Sequence, residues 1–183
     1  VCNVYFENDP NDSWNYYIIE VLNPDDSIGR PFLNIRKDNF ITITDKYCNL
    51  LLYIKQSEQF KDNIIIKCDI EGSEFEIIDQ IIKFADRIDM IIFEFHWINK
   101  SNNEEIFIQS IQKLKKCFEI IHIHGNNFVN KSESGLPIVL EMTLFNNKYK
   151  PDKIEYVYNF PIKDLDYPNN PYEKDVEIFF QKK

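Results

Sequence analysis

The stretch Ile64-Ile65-Ile66-Lys67-Cys68-Asp69-Ile70-Glu71-Gly72-Ser73-Glu74-Phe75-Glu76 constrains this chain more than any other part of it. A nearly continuous β-branched run is what a strand covered on both faces requires, and this one ends in acids and a glycine just before a helix-forming segment. In an open α/β sheet, ligands are handled at that junction. The design recurs. Residues 90–97 form a second apolar run ending in Glu94, Phe95, His96 and Trp97. Residues 118–127 form a third, ending in His122, Ile123, His124, Gly125, Asn126 and Asn127. The chain has three histidines, and all of them lie at these strand ends.

Between the strands the apolar spacing becomes helical. Ser73 and Glu76 have the spacing of a capping box, after which Phe75, Ile77, Ile78, Ile81, Ile82 and Ala85 supply one apolar face. Ser101 and Glu104 repeat that box before Ile106, Phe107, Ile111 and Leu114. Residues 139–145 read as a fourth strand. They are reached through Gly135-Leu136-Pro137 with no intervening helix, so an antiparallel direction is expected. Upstream, residues 1–38 are rich in Asn and Asp and read as an irregular segment with strand candidates at 4–6 and 16–22. An edge or half-buried strand is expected at 40–44 and a helix at 46–60. The division is one domain over 1–183, with an α/β core at 39–147 and a C-terminal extension at 148–183 that ends in an edge strand near 176–180.

The chain's 183 residues suit one domain with a sizeable core. Its net charge of -9 repels phosphate backbones and anionic lipid heads. Lys113, Lys115 and Lys116 form the densest basic cluster, but they fall in the last turn of a helix, where cations complement the macrodipole. No nucleic-acid partner is therefore expected. Cys2, Cys48, Cys68 and Cys117 lack paired spacing and read as free thiols of a reducing compartment. With no apolar run long enough for a membrane span, a cytoplasmic protein is expected.

Side chains two apart on a strand share a face. Lys67 with Asp69, Glu94 with His96, and His122 with His124 therefore bring six polar groups toward the carboxyl edge of one sheet. Buried charges without partners are costly, so these groups should gather where water or a ligand reaches them.

Asp69-Ile70-Glu71-Gly72-Ser73-Glu74, preceded by Ile65-Ile66-Lys67, resembles the K-x-D-[IV]-E-G-x-E signature of FkbM-type methyltransferases, Rossmann-like enzymes that use S-adenosyl-L-methionine. Phe40-Ile41-Thr42-Ile43-Thr44-Asp45 resembles the segment before that signature, and Ile92-Phe93-Glu94-Phe95-His96 the strand after it. His122-Ile123-His124-Gly125-Asn126-Asn127 and Leu140-Glu141-Met142-Thr143 resemble the closing strands of a subgroup. The resemblance implies a Rossmann-like methyltransferase sheet of which this chain supplies strands 4 to 7 with their flanking helices. It also implies that the antiparallel strand inserts between the 90–97 and 118–124 strands, bringing Glu141 beside Glu94, His96 and His124. Asp69, Glu71 and Gly72 would then border the donor.

Transfer of a methyl group to a hydroxyl needs an in-line approach and a base. His96 is the expected base with Glu94 orienting it, and His124 with Glu141 is the other candidate pair. Trp97, Asn126 and Asn127 would meet the substrate, a small molecule or a sugar or glycan unit. The sequence departs from the resemblance at one point: Gly29, Gly72, Gly125 and Gly135 are its only glycines, and none forms a G-x-G pair. The adenosine-binding half is therefore expected to be missing and donor binding to be weak; the 64–70 strand either presents an open edge for self-association or is covered by the 16–22 and 40–44 segments. Two other readings are a divalent-metal enzyme using Asp69, Glu94, His96, His124 and Glu141, and a non-catalytic methyltransferase-like subunit that pairs with another chain.

Overall fold

The computed structural model describes residues 64–99, 102–129 and 131–181, together with two upstream strands. The strand expected at 4–6, the helix at 46–60, Cys2, Cys48 and the Ser101 cap lie outside the described residues. The strands β1 (Tyr17–Leu22), β2 (Phe40–Ile43), β3 (Ile64–Asp69), β4 (Ile88–Phe95), β5 (Phe118–Gly125) and β6 (Leu140–Asn146) form one mixed sheet of order β2-β1-β3-β4-β6-β5. The helices α1 (Ile78–Lys83) and α2 (Asn103–Leu114) connect its later strands.

β6 runs antiparallel between β4 and β5, pairing Glu94 with Glu141 and His124 with Glu141. The expected insertion is therefore present. Of the two expectations for β3, the open edge needs correction, and coverage by the 16–22 and 40–44 segments is what the sheet has. β1 lies parallel to β3, with Tyr17 opposite Ile64 and Leu22 opposite Asp69, and β2 lies parallel to β1 on the far side. β1 is the strand candidate at 16–22, and its backbone occupies the hydrogen-bonding edge on which self-association was to rest.

Strand alternation sorts the sheet into two faces. Ile64, Ile66 and Cys68 of β3 join Ile91, Phe93 and Phe95 of β4 in the main core with Ile77, Ile78, Ile81, Phe107 and Leu114. Burying each such side chain contributes about 1.5–3 kcal/mol. On the opposite face Ile65 and Met90 pack with Ile92 and Phe145, and farther along these same rows stand Lys67, Asp69, Glu94 and His96. The acids and imidazoles thus lie on the face away from α1 and α2.

The first helix is shorter than its apolar pattern suggests. A 3₁₀ turn at Glu74–Ile77 precedes α1, and the Ser73 side chain makes no capping bond. The reason is local: the Glu74 carboxylate turns back and takes the free amides of the turn. On α2, Phe107, Ser110 and Leu114 are buried, whereas Ile106 remains 40% exposed. The extension carries a two-stranded antiparallel ladder of β7 (Asn159–Phe160) and β8 (Ile178–Phe179). The strand expected near the C-terminus thus pairs within the extension, and Phe160 and Ile178 join the main core. Among the described residues no helix is long and apolar enough to cross a membrane.

Candidate functional site

Two strand ends build the site. Asp69 closes β3, Glu94 lies one residue before the end of β4, and His96 follows that end directly. Phe95, between Glu94 and His96, is held from the other face by Phe93 and Phe75 at ring-centroid distances of 4.5 and 5.6 Å and by an edge contact with Phe107. This packing fixes the backbone from which Glu94 and His96 project. Just beyond the two strands, Glu71 and Trp97 adopt left-handed conformations with φ of 54° and 55°. Such strain in non-glycine residues persists only where surrounding contacts enforce it.

Glu74 is the residue that sequence reasoning missed. It is fully buried, and its carboxylate accepts hydrogen bonds from the backbone amides of Ile70 and Gly72 at 3.1–3.2 Å. Its Oε1 lies 2.9 Å from Nδ1 of His96. With the carboxylate already accepting from the turn, Nδ1–H is the donor of that bond, which leaves Nε2 facing the other acids. Nε2 stands 3.8 Å from Asp69 Oδ1, 3.7 Å from Glu71 Oε2 and 4.0 Å from Glu94 Oε1. The orienting carboxylate of His96 is thus Glu74, and Glu94 instead accepts a hydrogen bond from Asn126 Nδ2 at 3.0 Å.

The electrostatics follow from this crowding. Burial opposes the charge on His96, but the hydrogen bond and charge of Glu74, with Glu94 and Glu71 behind them, outweigh it and hold the imidazole at about 9. Burial and the neighbouring Glu94 push Asp69 up to about 7 against the pull of His96 and Lys67. Oδ1 of Asp69 is sealed from solvent and has no hydrogen-bond partner.

His124 and Glu141 form a separate arrangement along the same face. Nδ1 of His124 is 3.3 Å from Glu141, and Nε2 is 3.1 Å from both oxygens of Asp175 in the extension. Both ring nitrogens are engaged, so His124 works as a clamp. Asn169 donates to Glu141 at 2.8 Å. Burial would raise Glu141, yet its bonds to His124 and Asn169 hold its carboxyl below the usual range. Nε2 of His122 comes within 2.9 Å of Asp166, at ion-pair distance but without hydrogen-bond alignment. Asn127 is buried, and its side chain bonds the backbone of Asn170 and Glu173. Of the expected substrate contacts, Asn127 is thus committed to holding the extension, and Asn126 to positioning Glu94.

Burial likewise opposes the charge on His124, but Glu141 and Asp175 hold the ring at about 9. The folded ring keeps its proton to a higher pH than the unfolded one, whose pKa is about 6.5. The clamp's stabilisation is therefore complete below about 6.5 and disappears as the pH climbs through about 9, a change of about 3 kcal/mol. Urea midpoints measured from pH 6 to 10 should fall more steeply in the native protein than in His124→Gln. Equal slopes would remove the clamp.

Gly72 has φ of 107°, and a β-carbon there would lie 2.9 Å from Cδ1 of Trp97. Trp97 is held in turn by Asn103, whose Nδ2 donates to its carbonyl at 2.9 Å. Gly72→Ala should cost about 1–3 kcal/mol through strain and contact, read as a lowered thermal midpoint. An unchanged midpoint would mean that the indole moves aside freely.

No protein-family model matches the chain, and no curated protein is similar enough to count as a relative.

Proposed function

We propose that the chain transfers the methyl group of S-adenosyl-L-methionine to a hydroxyl of a small molecule or of a sugar or glycan unit, with His96 taking the hydroxyl proton. The Glu74–His96 pair carries this reading. A fully buried carboxylate fixes one ring nitrogen at 2.9 Å, and the other faces the acids at the strand ends. General-base catalysis requires that arrangement of an oriented imidazole with one nitrogen aimed at the acceptor.

The topology supports a Rossmann-like reading. The strand order reverses between β1 and β3, and open α/β sheets take ligands at the carboxyl ends of strands flanking such a reversal. Asp69 stands there, opposite Leu22. The antiparallel β6 between β4 and β5 is the arrangement that the FkbM resemblance implies.

The charge of the site suits a sulfonium donor. Three carboxylates, those of Asp69, Glu71 and Glu94, surround one imidazole nitrogen, and the buried Oδ1 of Asp69 accepts no hydrogen bond. Asp69, Glu71 and Gly72 would hold the donor, which supplies an electrophilic methyl group when bound. His96 would receive the acceptor's proton at Nε2, Glu74 would stabilise the resulting imidazolium, and Asn126 would keep Glu94 in place.

Incubation with methyl-labelled S-adenosyl-L-methionine and a panel of hydroxylated acceptors, monosaccharides included, tests the reading. Label is expected on an acceptor oxygen. Its absence from every acceptor at millimolar donor, with folded protein, would reject methyl transfer.

A further inference from the structure

We propose that Asp69, Glu94 and Nε2 of His96 bind one divalent transition-metal ion. This goes beyond methyl transfer and is tested without it, although a bound ion would occupy the nitrogen assigned there to the base. One donor atom from each of these residues lies within 4.8 Å of the other two. Glu71 Oε2, 3.7 Å from the same imidazole nitrogen, offers a fourth donor. An ion with bonds of about 2.1 Å holds neighbouring donors about 3.0–3.4 Å apart, so side-chain rotations that draw these atoms in by about 1 Å would close the set around it.

Two further observations point to a cation rather than to mutual neutralisation. Oδ1 of Asp69 is sealed from solvent and accepts no hydrogen bond, although it faces the imidazole nitrogen at 3.8 Å. A desolvated carboxylate oxygen is costly unless a donor or a positive charge sits against it. Secondly, Glu74 takes the Nδ1 proton of His96 at 2.9 Å and is itself locked by the amides of Ile70 and Gly72. That is how a carboxylate behind a ligating histidine fixes the tautomer and aims the other nitrogen at a metal.

The mixed donor set selects the class of ion. Imidazole with carboxylates suits manganese, iron, cobalt or zinc, whereas calcium takes oxygen donors alone. With an ion bound, His96 is a ligand, and a hydroxyl coordinated to that ion loses its proton more readily. The ion would then acidify the hydroxyl, and the proton would leave to water rather than to His96.

Manganese(II) is the probe. Titration of the full chain followed by electron paramagnetic resonance should show one bound ion, with modulation from a directly bonded nitrogen. Asp69→Asn and Glu94→Gln should each weaken binding tenfold or more, while Glu133→Gln in an exposed loop leaves it unchanged. Thermal melts report whether the variants fold, and where one does not, the nitrogen signal of the unaltered protein decides alone. No bound ion at millimolar manganese, a bound ion without nitrogen coupling, or full-strength binding by a folded Asp69→Asn would each overturn the proposal.

Discussion

Replacing Glu74 with alanine is expected to destabilise the fold by about 3–5 kcal/mol, the range for removing one partner of a buried charge pair. The side chain is fully buried and accepts from the amides of Ile70 and Gly72 and from the His96 ring. Alanine would leave those donors without their acceptor in a space that water does not reach, and each buried donor left unsatisfied costs about 1–3 kcal/mol. Glu74→Gln keeps the volume and one acceptor oxygen, but its amide nitrogen would face further donors, so a smaller loss is expected. Urea denaturation separates the cases: the midpoint should fall in the order native, Gln, Ala. A fully folded Ala variant with an unchanged midpoint would show that the turn stands without this carboxylate, and the orientation of His96 would then need another cause.

Much of the architecture was legible because the relevant signals are local. The run at Ile64–Asp69 is apolar but for Lys67 up to its end, and the one from Met90 is apolar up to Glu94, so strand character and polar ends appear together. The loop through Gly135 carries no helical pattern, which made the antiparallel direction of β6 readable. The alternation that puts Asp69, Glu94 and His96 on one face is a property of any strand.

Other features depend on contacts distant in sequence. Asp175 reaches His124 across 51 residues, and Asn170 reaches Asn127 across 43. Nothing near the histidine or the asparagine announces either partner, so both were open to a role at the substrate. β1 was legible as the strand candidate at 16–22, but its place beside β3 was left open because nothing local sets that pairing. Glu74 looked like an ordinary acid in the first turn of a helix, where carboxylates are common. Its burial arises because the left-handed Glu71 and Gly72 fold the turn back onto His96. The one available signal was its place as the last acid of Asp69-x-Glu71-Gly72-x-Glu74, a spacing that capping rules alone do not explain.

His96→Gln should lower methyl transfer about 10²–10⁴-fold, the range attributed to a positioned general base, while leaving donor affinity nearly unchanged. Glutamine fills much of the same space and can still hydrogen-bond Glu74, so the fold should persist where alanine would open a gap beside a buried carboxylate. The pH dependence gives a second readout. Because the carboxylates hold His96 at about 9 despite its burial, only a small fraction of the ring is neutral at pH 7. The rate should therefore rise about tenfold per pH unit and level off near 9. The measurement belongs in chelator-treated buffer, so that only a proton competes for Nε2. A profile that levels off near pH 7, or a His96→Gln enzyme as fast as the native one, would assign the proton to another group. Asp69, which burial and Glu94 push up to about 7, would then be the residue to replace, since its profile would level off about two pH units earlier.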